Sequence, residues 1–178
     1  CCANNAAQQH SRQYMQGISS PAYSDERQKE YSFLYDSPVG TLRLTAKDNV
    51  LMGLSLSERA GFPLAPDNHQ IADTYRWLDL YFNGKEPDFM PRLSPQGTPF
   101  QLKVWKELLT IPYGKTITYA ALAALTGCRS AQAIGQAVSH NPIAIIIPCH
   151  RVVGSKSLGG YAYGIECKQR LLQIEHSI

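Results

Sequence analysis

Residues Thr98 to His140 read TPFQLKVWKELLTIPYGKTITYAALAALTGCRSAQAIGQAVSH, and three helices can be traced in them. Thr98 and Pro99 form an N-cap and a first-turn proline. Phe100, Val104, Trp105, Leu108 and Leu109 then fall on one face of a 3.6-residue repeat, and Pro112-Tyr113-Gly114 stops it. Thr118 to Leu125 is alanine-rich and is followed by Gly127; a further helix runs from Ser130 to about His140. Two short helices joined by a glycine-containing turn spell a helix-turn-helix. In the second, Ile134 and Val138 lie four apart and face inward, leaving Ala131, Gln132, Gly135 and Gln136 on the opposite face. Small residues flanking a polar one permit close approach to a backbone or groove. Ordinary helix packing accounts for the same pattern equally well.

Toward the N-terminus, Tyr31–Tyr35, Thr41–Ala46 and Val50–Leu56 are alternating or β-rich stretches. Ser37-Pro38-Val39-Gly40 and Lys47-Asp48-Asn49 separate them, which predicts an antiparallel meander. Ile71, Tyr75, Leu78 and Phe82 recur at helical spacing before Gly84, so a helix closes this lobe. The proline-rich stretch from Pro87 to Pro99 marks a boundary. The expected fold is therefore α+β. A small N-terminal antiparallel sheet lobe with a helix spans 30–96, and a mainly helical C-terminal lobe with a winged-helix-like helix-turn-helix spans 97–178. Residues 1–29 are polar, without apolar periodicity, and are expected to form a flexible leader.

Composition narrows the function classes. Hydrophobic residues make up 44% and charged residues 17% of the 178, which is globular composition, and no apolar run approaches the roughly 20 residues of a membrane span. The five cysteines, at 1, 2, 128, 149 and 167, have neither disulfide-framework nor metal-ligand spacing. A reducing, cytoplasmic setting follows as the default. From Gly97 onward eight Lys and Arg face three Glu, whereas nine face eleven acidic residues before it. Positive charge gathered in one half suggests a polyanion partner such as nucleic acid, although many enzymes carry such an imbalance.

Toward the C-terminus, Ile143–Ile147 is a short apolar run, read as a buried strand ended by Pro148. Cys149, His150 and Arg151 follow at once, then a loop with Gly154, Gly159, Gly160 and Gly164, then a helix from Ile165 to Glu175. A cysteine attacks as thiolate, so its pKa of about 8.5 must be lowered by a neighbouring cation, His or helix end. Neighbours on a continuing strand point to opposite faces, so Cys149 and His150 can cooperate only where Pro148 turns the chain. Such a thiolate attacks acyl, phosphoryl or alkyl carbon, and residue types alone do not choose among these. A buried free cysteine is the plainer reading of a Cys-His pair, and it is the one adopted for Cys128 and Cys167.

The complete string Ile147-Pro148-Cys149-His150-Arg151-Val152-Val153 resembles the active-site signature of the O6-alkylguanine-DNA alkyltransferases. The likeness runs from about Phe100 to Glu175, and Ser37-Pro38-Val39-Gly40-Thr41-Leu42 looks like the start of the family's N-terminal domain. The resemblance implies that Cys149 accepts the alkyl group, that His150 is its base through a water, and that Glu175 orients His150. It makes Tyr119 the residue that assists nucleotide rotation and donates a proton to the departing guanine. Asn141 would brace the turn before the active site. Arg151, Ala131, Ser155, Tyr161, Ala162 and Tyr163 fall among the positions expected to meet substrate or DNA. Tyr163, a bulky ring where some members have glycine, would narrow the base pocket toward small alkyl groups. One position departs from the family: Gln132 stands where members commonly place an arginine finger, which implies weaker DNA binding. The implied partner is double-stranded DNA, met through the minor groove by a monomer, with no metal and no cofactor.

Three other classes are distinguishable. A non-enzymatic sensor of alkylated guanine would lack the acceptor cysteine, and this chain has Cys149. A transcription regulator would need a further DNA- or ligand-binding domain. A cysteine hydrolase would turn over an ester or amide repeatedly.

Overall fold

The computed structural model describes residues 30–57 and 69–178; the expected leader lies outside the described residues. Three strands, β1 (Tyr31–Ser37), β2 (Gly40–Lys47) and β3 (Val50–Leu56), form an antiparallel sheet in the order β1-β2-β3. Alternation sets the buried face: Leu42, Leu44 and Ala46 of β2 are fully buried, while their neighbours are not. The β2–β3 hairpin turns through Asp48 and Asn49 at φ 51° and 63°. Asn and Asp tolerate this left-handed backbone, and positive φ at both central residues matches the twist of the flanking strands.

Helix α1 (Ala72–Phe82) buries Thr74, Trp77, Leu78 and Tyr81. Helix α2 (Pro99–Leu108) starts with a reciprocal cap, because the Thr98 side chain accepts from the Gln101 amide while Gln101 accepts from the Thr98 amide. Its buried face is Val104, Trp105 and Leu108. Phe100 and Leu109, expected on that face, are 36% and 39% exposed, because they sit at its two ends where the packing stops. The Trp105 indole donates to the Ala137 carbonyl at 2.8 Å and so ties α2 to α4 (Ala131–Ser139). Helix α3 (Tyr119–Thr126) is capped by Thr118 and ends at Gly127, φ 68°. With α4, capped by Ser130, it packs as the expected helix pair. The adjoining two-stranded sheet is β4 (Ile117–Thr118) parallel to β5 (Val152–Val153), and α5 (Ile165–Ile174) follows.

One expected element is absent as such. Ile143–Ile147 is fully buried, but it is not a strand: only Ile143 bridges to Leu54, and the chain then turns, with Ile147 donating to Ile143 O and Ile145 at φ 71°. A β-branched residue rarely adopts that conformation. The carboxamide of Asn141 holds it there, accepting from the Ile143 amide at 3.0 Å and donating to Ile147 O at 2.7 Å.

Both halves of the chain contribute to one hydrophobic core, in which Leu54 of the sheet meets Ile143 and Trp105 lies beneath the helices. Fully burying one such leucine contributes about 1.5–3 kcal/mol. Among the described residues no helix is long and apolar enough to cross a membrane.

Candidate active site

Pro148 ends the Asn141-braced turn and caps a single 3₁₀ turn, Cys149–Arg151. At three residues per turn, consecutive side chains diverge by about 120°, so this turn splits three adjacent residues between two environments. Cys149 lines a cavity of about 310 Å³ together with Tyr119 of α3, Gly135 and Val138 of α4, and Tyr161 and Ala162 of the following loop. His150 and Arg151 turn the other way, into the protein, where both meet Glu175 at the end of α5.

Glu175 is almost fully buried, and every side of its carboxylate is taken. His150 Nε2 lies 2.6 Å from Oε1, Arg151 donates through Nε to Oε2 at 2.8 Å and through Nη2 to Oε1 at 3.1 Å, and Tyr81 donates to Oε1 at 2.8 Å. The Gly114 amide donates to Oε2 at 3.3 Å. Burial alone would raise the carboxyl pKa, but the His150 and Arg151 interactions outweigh it and hold Glu175 at about 2. Glu175 is thus an anion, and an anion at Oε1 requires the proton on Nε2. Burial holds His150 below the ordinary histidine pKa, against the pull of Glu175. The imidazole is consequently neutral, with a basic Nδ1 that is buried and has no hydrogen-bond partner within the protein.

Burial pushes the Cys149 thiol up, opposed by Asn141, by the Tyr161 hydroxyl and by the Lys168 charge. The Tyr161 hydroxyl is itself buried without an aligned hydrogen-bond acceptor, so its influence on the sulfur is through proximity. A raised thiol needs a base to become a nucleophile. Tyr119 stands half-buried at the start of α3, its ring 3.1 Å from the point where a side chain on Gly159 would begin. Gly159, at φ 73°, is the residue that lets the loop pass over that ring.

Other expected positions distribute differently. Ala131 and Gln132 are exposed on α4, one turn before Gly135 of the cavity wall. Ser155 is exposed on the loop and is not part of the cavity lining. Arg151, read as a DNA contact, is buried: its guanidinium faces inward, binding Glu175 and donating to Ile111 O at 2.7 Å. Tyr163, expected to narrow the pocket, does not line it; it packs edge-on behind Tyr161, ring centroids 5.6 Å apart.

Two residues were not anticipated. Tyr81 reaches Glu175 from the first lobe, and nothing in its helical spacing distinguishes it from a core tyrosine. Lys168 reads as surface charge but is fully buried, donating to Val152 O at 2.6 Å, Leu158 O at 2.5 Å and Gly160 O at 3.0 Å. It ties down the loop that walls the cavity. Among the described residues, no group of three or more His, Cys, Asp or Glu is placed to hold a metal ion.

Residues 99–177 match the model for 6-O-methylguanine DNA methyltransferase, DNA binding domain, and residues 31–95 match its ribonuclease-like domain. A methylated-DNA–protein-cysteine methyltransferase of Mycobacterium tuberculosis is 44% identical over 148 residues, covering 80% of this chain and 90% of that protein. Its counterpart from Methanosarcina barkeri is 40% identical over 154 residues, covering 83% and 98%. The crystal structure of the Mycobacterium tuberculosis O6-methylguanine methyltransferase superposes with a TM-score of 0.76 at 41% identity, covering 84% of this chain and 94% of that one. Mycobacterium tuberculosis OGT in complex with DNA gives 0.74 at 42% identity, covering 83% and 92%.

Proposed function

The chain belongs to the 6-O-methylguanine DNA methyltransferase family, and from that premise we propose how its residues divide the reaction. The protein repairs DNA by transferring an alkyl group from O6-alkylguanine to a cysteine of its own. We assign the acceptor to Cys149. Its thiol proton passes, relayed by water, to Nδ1 of His150, while Glu175 holds the Nε2–H and stabilises the imidazolium that forms. The thiolate attacks the alkyl carbon, the bond from that carbon to the guanine oxygen breaks, and Tyr119 donates a proton to the guanine as it leaves. The observation that carries this reading is the Cys149 side chain in a base-sized cavity with a neutral, carboxylate-oriented imidazole on the next residue.

The product is a thioether, whose sulfur is a poorer leaving group than the guanine oxygen, so each molecule reacts once. The cavity opens beside α4, and a duplex base reaches it only by leaving the stack, which costs a few kcal/mol and least for a weakly paired lesion. The exposed small-residue row of α4 suits a minor-groove approach by a monomer. O4-alkylthymine offers the same alkyl–oxygen bond and is a second substrate on this reading. Residues 30–96 serve as a supporting lobe and 97–178 as the DNA-binding and transfer domain, in a cytoplasmic protein.

The test is intact-protein mass spectrometry after mixing with a duplex carrying one O6-methylguanine, alongside Cys149→Ala. A gain of one methyl group on Cys149, stopping at one per molecule, is the expected result. Tight binding without any gain would make the protein a sensor of alkylated guanine.

A further inference from the structure

The Tyr81 hydroxyl has no task in that scheme, yet it lies inside it. It is carried on α1, in the first lobe, 69 residues before His150 and 94 before Glu175. Its oxygen is 2.8 Å from Glu175 Oε1 and 3.3 Å from His150 Nε2, which is itself 2.6 Å from the same Oε1. The ionised carboxylate has no proton to offer, and Nε2 already carries one. Tyr81 therefore donates to Oε1 and turns its lone pairs toward the Nε2–H. The three atoms form a closed triangle in which the phenol and the imidazole share one carboxylate oxygen.

The ring is held for this. It stacks on Trp77 at 5.2 Å and 10°, and meets Phe82 and Tyr113 edge-on, both at 85°. It is fully buried, so no solvent competes for the hydroxyl. Its proton stays on at any working pH, because burial and then the Glu175 charge push the phenol pKa well up.

We propose that Tyr81 is a positioning residue: by occupying Oε1 it sets how strongly Glu175 holds the Nε2–H, and through that the basicity of the nitrogen that receives the thiol proton. The first lobe thereby becomes part of the transfer site. This rests on the Cys149–His150–Glu175 reading above.

The experiment compares single-turnover methyl transfer from an O6-methylguanine duplex, over a range of pH, in three proteins. These are the wild type, Tyr81→Phe, and protein with 3-fluorotyrosine placed at position 81. The phenylalanine removes the donor and the fluorine strengthens it; the second keeps the ring and hydroxyl, so the test survives if the first folds poorly. Tyr81→Phe leaves Oε1 to the Nε2–H alone and makes Nδ1 more basic, so the midpoint should rise and transfer should slow about tenfold only at pH below it, the scale of one lost hydrogen bond to a charged group, with DNA affinity unchanged. The midpoints of the two pH–rate profiles should move in opposite directions from the wild type. Unchanged rates, or a fall in rate with both profiles stationary or moved the same way, would reduce Tyr81 to packing and overturn the proposal. Failure of the wild type to accept a methyl group would instead remove the reading beneath it.

Discussion

Replacing Glu175 with glutamine removes the anion that the buried Arg151 guanidinium pairs with and sets an amide N–H₂ against a ring of donors from Tyr81, His150, Arg151 and Gly114. The size of the loss can be reached in two ways. Holding a carboxyl at about 2 instead of 4.5 contributes about 3 kcal/mol at neutral pH. Removing one partner of a buried ion pair costs about 3–5 kcal/mol, because the other charge is stranded. The agreement sets the expectation for Glu175→Gln at about 3–4 kcal/mol, a large share of the roughly 5–15 kcal/mol of a typical domain. Urea unfolding followed by circular dichroism, on both proteins, measures it. The pH dependence has a fixed sign. A carboxyl whose folded pKa is depressed contributes fully above its unfolded value of 4.5 and loses that contribution as pH falls through 4.5 toward 2. The wild-type advantage should be constant above about pH 4.5 and shrink below it. A gap under about 1 kcal/mol at pH 7, or one that does not close in acid, would refute the account of Glu175 as the anion of this cluster.

Asn141→Ala removes both hydrogen bonds that hold the Ile143–Ile147 turn and should destabilise by about 1–3 kcal/mol, read by thermal unfolding, while slowing transfer more than DNA binding. Gln132→Arg adds a cation on the exposed face of α4; DNA affinity should rise, and the slope of log affinity against log salt should steepen by about 0.9 if it meets one phosphate. Lys168→Met leaves three carbonyls without their donor, so amide exchange across 158–162 should quicken and the cavity wall loosen.

The sequence was most legible where the signal is local. Alternation in Leu42, Leu44 and Ala46, the Asp48-Asn49 turn and the Thr98-Pro99 helix start each depend on residues within a few positions, and the elements formed where expected. Pro148 was half informative: the chain turns there as expected, but the turn that was to bring Cys149 and His150 together sends Cys149 to the cavity and His150 inward to Glu175. Ile143–Ile147 misled because a short apolar run looks the same in a buried strand and in a buried turn; the deciding carboxamide, Asn141, lies outside it. Arg151 misled because adjacency to a reactive cysteine suggests a role toward substrate, whereas the 3₁₀ turn sends it inward to Glu175. Tyr81 was illegible because its partners are 69 and 94 residues away, and a one-dimensional pattern has no means of pairing them.

The outer side of β3 carries a different consequence. Leu51 exchanges hydrogen bonds with Arg92 and Ser94, and Leu54 with Pro142 and Ala144, so passing segments cover the strand where a neighbouring strand would add. Sheet edges left open are templates on which chains join into aggregates. At β3 the chain's own segments occupy that template, so a second chain cannot add there without displacing them.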